Sequence, residues 1–305
     1  MRRVLSCAAL MLGSVVLLCL MSGSAMAQTE AKRPVFDSAP PHVHYRGGGT
    51  LVGHLEGFIA GDELSLQRRA GDGWRVLSTK AVDDQGSAAF AVSGLRHTRV
   101  FRLRYVDPST SLESVSATRK IVVAPRLTFK LSSDHVMQGR SVTAYGRLTE
   151  GAGRWVAIQQ RAGGRWRTIG TAYEHDGRYA LRFEANRIGA RRLRVLFKGD
   201  DKNGGALQRQ SLRVYDPALA TWYGPGFYGH RTACGQTLGG DTLGVAHRTL
   251  PCGTEVAVLY DGKTIIVKVI DRGPYSRADW DLTQETAERL GFTGTDTIGV
   301  DPVRN

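Results

Sequence analysis

From residue 46 to residue 216 the chain runs in short stretches that alternate apolar and polar positions, separated by glycine-rich turns. In Tyr179 to Phe183 the residues Tyr179, Leu181 and Phe183 fall on one side and Ala180 and Arg182 on the other, the period-two pattern of a half-buried strand. The pattern is written twice. Leu66 to Arg75 (LQRRAGDGWR) returns 92 residues later as Ile158 to Arg167 (IQQRAGGRWR), with Gly53-His54-Leu55 answered by Gly146-Arg147-Leu148 and Asp84-Gln85-Gly86 by His175-Asp176-Gly177. Arg102-Leu103-Arg104 and Arg192-Leu193-Arg194 extend the match. A unit of about ninety residues built this way predicts a β-sandwich, so two are expected, over 46–124 and 125–216, with proline-marked linkers at Val123-Ala124-Pro125 and Tyr215-Asp216-Pro217. Trp74 and Trp166 recur with their turn, which points to core or turn packing rather than to an exposed sugar platform.

Two further patterns flank the repeats. Residues 28–45 carry Pro34, Pro40 and Pro41 with little periodicity and predict an extended, mobile leader, in which His42 and His44 are solvated and bind no metal. Over 218–305 the runs Glu255 to Tyr260 and Thr264 to Ile270 predict strands joined by an Asp261-Gly262-Lys263 turn. Thr283 is placed to cap a helix over Gln284 to Leu290 that stops at Gly291.

Composition changes this picture in two ways. Arg2 and Arg3, an apolar run from Val4 to Met21 and the small residues ending at Ala27 predict a secretory signal peptide over 1–27 and no stable membrane anchor. Of the four cysteines, Cys7 and Cys19 then leave with that segment, and Cys234 and Cys252 are expected to pair in an oxidising compartment. Charge divides the rest: residues 28–217 hold 31 Lys and Arg against 18 Asp and Glu, whereas 218–305 hold 8 against 10. A basic, exported middle whose arginines are scattered along strands argues against nucleic acid and for anionic wall polymers as a partner.

Four blocks carry a resemblance: Ala220-Thr221-Trp222-Tyr223-Gly224, Ala246 to Thr254 (AHRTLPCGT), Val269 to Tyr275 (VIDRGPY) and Asp281-Leu282-Thr283. In order and spacing they resemble the rare lipoprotein A family of septal-ring lytic transglycosylases, and more distantly expansins and barwin-like proteins. The repeats resemble bacterial immunoglobulin-like domains. The fold class implied is all-β, with two immunoglobulin-like sandwiches followed by a six-stranded double-psi β-barrel carrying one short helix. The function implied is action on peptidoglycan glycan strands in the cell envelope, without a cofactor, as a lytic transglycosylase leaving 1,6-anhydro-muramyl ends. The alternative is noncatalytic, expansin-like binding or loosening of the wall.

Lytic cleavage does not need two carboxylates: one acid protonates the glycosidic oxygen, and the same group as base helps the muramyl 6-hydroxyl attack C1. Asp271, at the end of the apolar run Ile265 to Ile270, is the candidate, with burial expected to keep it protonated; the other reading makes it a turn cap. His247 and Asp281 complete the candidate catalytic set, each with a structural alternative. Trp222, Tyr223, Gln236, Arg272 and Tyr275 are the candidate substrate contacts. The family has Glu where this chain has Gln236 and an acid where it has Gly239, and an amide exchanges no proton at a useful pKa. The sequence departs from the lipoprotein members at Cys19, which follows Leu18 and not a small residue. The two basic sandwiches are expected to take over the targeting role of the glycan-binding repeat that ends many members.

Overall fold

A computed structural model describes residues 31–149 and 153–303. The signal-peptide reading falls outside the described residues. The first sandwich is built from β1 (Arg33–Ser38), β2 (His42–His44), β3 (Gly47–Glu56), β4 (Glu63–Ala70), β5 (Gly73–Ala81), β6 (Ser87–Leu95), β7 (Arg99–Val106), β8 (Glu113–Val115) and β9 (Arg119–Ala124). One sheet has the order β1-β3-β6 and the other β2-β9-β7-β4-β5, with β8 on β7. Leu51, Leu66, Phe90, Phe101 and Ile121 fill the space between them.

The second sandwich repeats the plan. It comprises β10 (Lys130–Leu131), β11 (His135–Met137), β12 (Ser141–Arg147), β13 (Trp155–Ala162), β14 (Arg165–Tyr173), β15 (Arg178–Glu184), β16 (Gly189–Phe197) and the first part of β17 (Ala206–Tyr223). Its sheets run β10-β12-β15 and β14-β13-β16-β17, with β11 on β17. The duplication reaches the irregularities: the hairpin register slips between Leu66 and Gln67 in one copy and between Ile158 and Gln159 in the other. A β-bulge kept at the same place in both copies marks a common bend.

Strand pairing corrects one piece of the sequence alignment. Gln67 faces Arg102, and Gln159 faces Arg194. Arg102 therefore corresponds to Arg194, two residues on from the match made by eye. A two-residue slip leaves every side chain on its own face, so the apolar pattern alone does not detect it.

Two expectations are overturned and a third is narrowed. The leader is not a mobile tail: β1 and β2 are strands of the first sandwich, and Phe36 is buried in its core. Both are edge strands, where a missing proline N–H costs little, so Pro34 fits beside Leu55. No linker separates the second sandwich from the C-terminal unit, because β17 runs through both. At Pro217 the strand pairs only with Gly299, which gives proline an open side. Trp74 and Trp166 belong to neither core. Each is half-buried and covered by an arginine guanidinium 4.4 Å from the ring centroid, Arg102 on Trp74 and Arg194 on Trp166. Those arginines donate in turn to Gln67 and Gln159, at 2.7 Å in both copies.

The C-terminal unit contains the end of β17, β18 (Val245–Ala246), β19 (Glu255–Tyr260), β20 (Lys263–Asp271), β21 (Trp280–Thr283), helix α1 (Gln284–Leu290) and β22 (Asp296–Pro302). Neighbours follow β17-β21-β18-β20-β19-β22, and β22 pairs back onto β17, so six strands close a barrel. Two pairs, β17 with β21 and β18 with β20, are parallel. Val256, Val258, Val269, Leu282 and Ile298 fill it, and Ala287 and Leu290 seat α1 against it. Asp261 and Gly262, both at positive φ, make the two-residue turn between β19 and β20. Thr283 caps α1 by accepting from Thr286 N, and Gly291, left-handed at φ 72°, ends it.

Barrel and second sandwich share a seam. Arg213 Nη1 lies 2.7 Å from Asp301 Oδ2, and Tyr215 packs with Ala257 and Leu259.

Candidate active site

The barrel register sets four residues in one row. Thr221 on β17 faces Asp281 on β21, Asp281 faces Ala246 on β18, and Ala246 faces Asp271 at the end of β20. Two strand spacings separate the backbones of the aspartates, about 10 Å. Their side chains lie close enough that the charge of Asp271 acts on Asp281.

The carboxylates are held differently. Asp271 Oδ1 accepts the backbone N–H groups of Ala233 and Arg272, each at 2.8 Å. Both bonds fall on one oxygen; they cap the Asp271-Arg272-Gly273 turn and tie it to the loop around Cys234. Asp281 Oδ1 accepts the Thr221 hydroxyl at 2.8 Å. Burial above all, with the like charge of Asp271, raises the pKa of the Asp281 carboxyl from its ordinary value, against the Thr221 bond, which favours the ionised form. The upward shift falls on Asp281, whose role the sequence leaves between an assisting acid and a structural one.

Tyr223, two residues beyond Thr221, projects from the same face of β17. Its hydroxyl is buried, has no hydrogen-bond partner among the described residues, and is held protonated by burial and by the charges of Asp271 and Asp281. An unpaired buried hydroxyl costs about 1–3 kcal/mol, which a polar ligand in the groove would recover. His247 is neutral: burial first, then Arg248 and Arg272, lower its pKa. Its Nδ1 accepts the N–H groups of Thr249 (3.2 Å) and Leu250 (3.1 Å), so the ring proton sits on Nε2. The imidazole rests on the Trp280 indole, centroids 4.4 Å apart, and its backbone N–H donates to Asp271 O.

Arg272 turns away from the carboxylates. Its guanidinium donates to His247 O at 3.2 Å and to Cys252 Sγ at 3.3 Å. Cys252 is joined to Cys234 in a disulfide, Cα atoms 5.6 Å apart, which pins the 231–237 loop against the loop after β18. Gln236 is exposed on that loop. Arg248 braces the opposite rim through Pro274 O and Ser276 O, each at 2.8 Å. Beyond it Tyr275 stands 87% exposed.

Alternation along β17 sets Trp222 on the face away from Thr221 and Tyr223, so the structure separates it from the carboxylates. Sequence reasoning missed Thr221, the partner of Asp281, and the exposed Phe227 and Tyr228 after β17. The signal for Thr221 was its two-residue spacing from Tyr223. The Tyr228 hydroxyl donates to Gln284 at the start of α1, and Phe227 meets Tyr223 edge-on at 6.1 Å.

Residues 217–304 match the protein-family model described as lytic transglycolase. The C-terminal barrel is an RlpA-like double-psi barrel. Three relatives place it further. The chain is 36% identical over 132 residues to the "Probable endolytic peptidoglycan transglycosylase RlpA" of Synechocystis, covering 38% of this chain and 41% of that one. It is 43% identical over 93 residues to the "Endolytic peptidoglycan transglycosylase RlpA" of Pseudomonas aeruginosa, covering 28% and 27%. It is 45% identical over 81 residues to the protein named as in Synechocystis from Aquifex aeolicus, covering 26% and 36%. The matches thus span under half the length of these relatives. The RlpA-like barrel here carries Gln236 and Gly239 on the rim that the disulfide holds.

Proposed function

We infer that the barrel cuts peptidoglycan glycan strands by lytic transglycosylation. The observation that carries this reading is the register row: it sets Asp281, a half-buried carboxyl whose pKa burial raises, two strand spacings from a second carboxylate, Asp271. Environments that push two carboxyl groups apart divide acid from base. Asp281 gives its proton to the glycosidic oxygen as the C1–O bond breaks. The muramyl 6-hydroxyl attacks C1 and loses its proton to Asp271, so the new O6–C1 bond closes the 1,6-anhydro ring and no water is consumed. Tyr223, its hydroxyl unpaired beside both aspartates, and the Nε2–H of His247 supply donors for the sugar oxygens, and Gln236, Tyr275, Phe227 and Tyr228 line the approaches. The site belongs in the cell envelope, and no helix among the described residues is long and apolar enough to cross a membrane.

One observation favours a second reading, a barrel that grips glycan without cutting it: Gln236 stands where the family has a proton-exchanging Glu, and Asp271 Oδ1 is fully engaged as a turn cap. Digestion of purified sacculi by the mature protein separates the two. Anhydro-muramyl products that vanish in Asp281→Asn support cleavage; sacculus binding with no products from the wild type supports the grip.

A further inference from the structure

The outer face of the second sandwich carries an arginine-lined cleft. Between β13, β14, β16 and β17 lies an open cleft of about 500 Å³, lined by Arg161, Trp166, Arg192 and Arg209, with Asp134 at one edge. None of the three arginines has an ion-pair partner among the described residues. Trp166, stacked beneath Arg194, forms an apolar wall.

The first sandwich has the same tryptophan, arginine and glutamine but a different charge around them. Strand register matches Arg192 to Val100 and Asp134 to Pro41 and, continued one pair beyond Arg119, Arg209 to Thr118. Of the three arginines only Arg161 keeps a basic counterpart, Arg69, and the first copy has Lys120 where the second has Ser211. On that copy Arg104 reaches Glu113 at 2.8 Å and Arg102 reaches it at 3.9 Å, so the platform is partly neutralised by its own acid. Duplication supplied the aromatic and arginine scaffold; the second copy has two further arginines and no equivalent of the Glu113 pairing.

We propose that this cleft binds an acidic polysaccharide or polyol polymer, through oxyanions regularly spaced along its chain. Guanidinium groups are weakly hydrated forks that bind carboxylate and phosphate in two-point contacts. A cleft with three arginines against one aspartate concentrates the field on a polyanion more than scattered surface arginines do, and the tryptophan wall suits the apolar edge of a sugar or polyol unit. The cleft and the barrel share β17: Arg209 and Thr221 lie twelve residues apart, at most about 40 Å along the strand. An anchored polymer would thus hold the barrel at a fixed reach. This deepens the wall assignment above and rests on it only for where the polymer is met.

The test uses the mature full-length chain and three immobilised polymers at low salt: a poly(glycerol phosphate), a polygalacturonate and neutral dextran. The wild type is expected to bind one or both charged polymers and not dextran, the two charged arms telling phosphodiester from carboxylate. Arg192→Ser/Arg209→Ser should weaken that binding about tenfold or more. The charge-matched Arg69→Ser/Arg75→Ser on the first sandwich should stay within about twofold. Equal losses in both variants, or no wild-type binding to either polyanion, overturn the proposal. Asp271→Asn is expected to bind the polymers as the wild type does, so failure of the cleft and failure of the catalytic reading are seen separately.

Discussion

At one end of the barrel two aspartates share a register row two strand spacings apart, one of them half-buried with its carboxyl pKa raised by that burial. In the cleft of the second sandwich three exposed arginines stand without an ion-pair partner among the described residues. The first arrangement caps one carboxylate with backbone N–H groups and sets the other where burial raises its pKa, a division that acid–base chemistry uses. The second leaves its charges hydrated and exposed, which suits reversible contact with a polyanion and makes that contact sensitive to salt. The difference teaches that the overall charge of the chain says little about where its candidate chemistry lies: the excess of Lys and Arg lies in the sandwiches, and the barrel, slightly acidic, holds the aspartate pair.

The largest effect expected from breaking this contrast is in the groove. Asp271→Asn keeps an oxygen to accept the Ala233 and Arg272 N–H groups but cannot take a proton. Turnover should fall by roughly 10² to 10⁴ while sacculus binding persists, measured as anhydro-muropeptide release beside a pelleting assay. An equal fall in binding would mean that the residue only holds the rim.

Next is the staple behind that rim. Removing the Cys234–Cys252 bridge by Cys234→Ser/Cys252→Ser should cost about 3 kcal/mol, read from denaturant midpoints, because it closes a loop over a sequence separation of 18. Thiol titration of the folded, unreduced protein should find none. The sandwiches, which contain no cysteine, should unfold unchanged.

Asp281 gives a pH-dependent sign. Its folded pKa is raised, so its contribution to stability is present below the unfolded value and is lost as pH rises through the folded one. Asp281→Asn, which never ionises, should gain melting temperature relative to the wild type between pH 4 and pH 7 while losing activity. A difference in melting temperature that stays flat with pH would remove the claim that burial holds the proton there.

The smallest effects belong to the stacked tryptophans. Arg102→Ala and Arg194→Ala should each cost about 0.5–1 kcal/mol in thermal unfolding, the range of an exposed cation–π contact. A loss several times larger would place Trp74 or Trp166 in a core after all.

Much of this organisation was legible because it depends on local pattern. The barrel hairpin and α1 follow from Asp261-Gly262, Thr283 and Gly291, whose conformations are dictated within a few residues. The two sandwiches follow from repetition. What escaped was decided by neighbours in space. Pro34 and Pro217 read as breaks because the sequence does not show that each lies where one side of its strand is open. The surroundings of Asp271 and Asp281 escaped for a similar reason: only the closed barrel reveals which one meets backbone N–H groups and which accepts from Thr221. The unpaired hydroxyl of Tyr223 and the arginine cleft likewise arise from register between strands distant in sequence.

The central claim, that this carboxylate pair cuts glycan although Gln236 replaces the family's Glu, is tested most directly by the products of the unmodified protein. Purified sacculi incubated with the mature chain and analysed by mass spectrometry should release fragments ending in 1,6-anhydro-muramyl residues, with no reducing muramyl ends above the background. Sacculi that bind the protein and release nothing, while Gln236→Glu alone releases those fragments, would contradict the account and mark the barrel as a glycan-binding descendant of a cutting one.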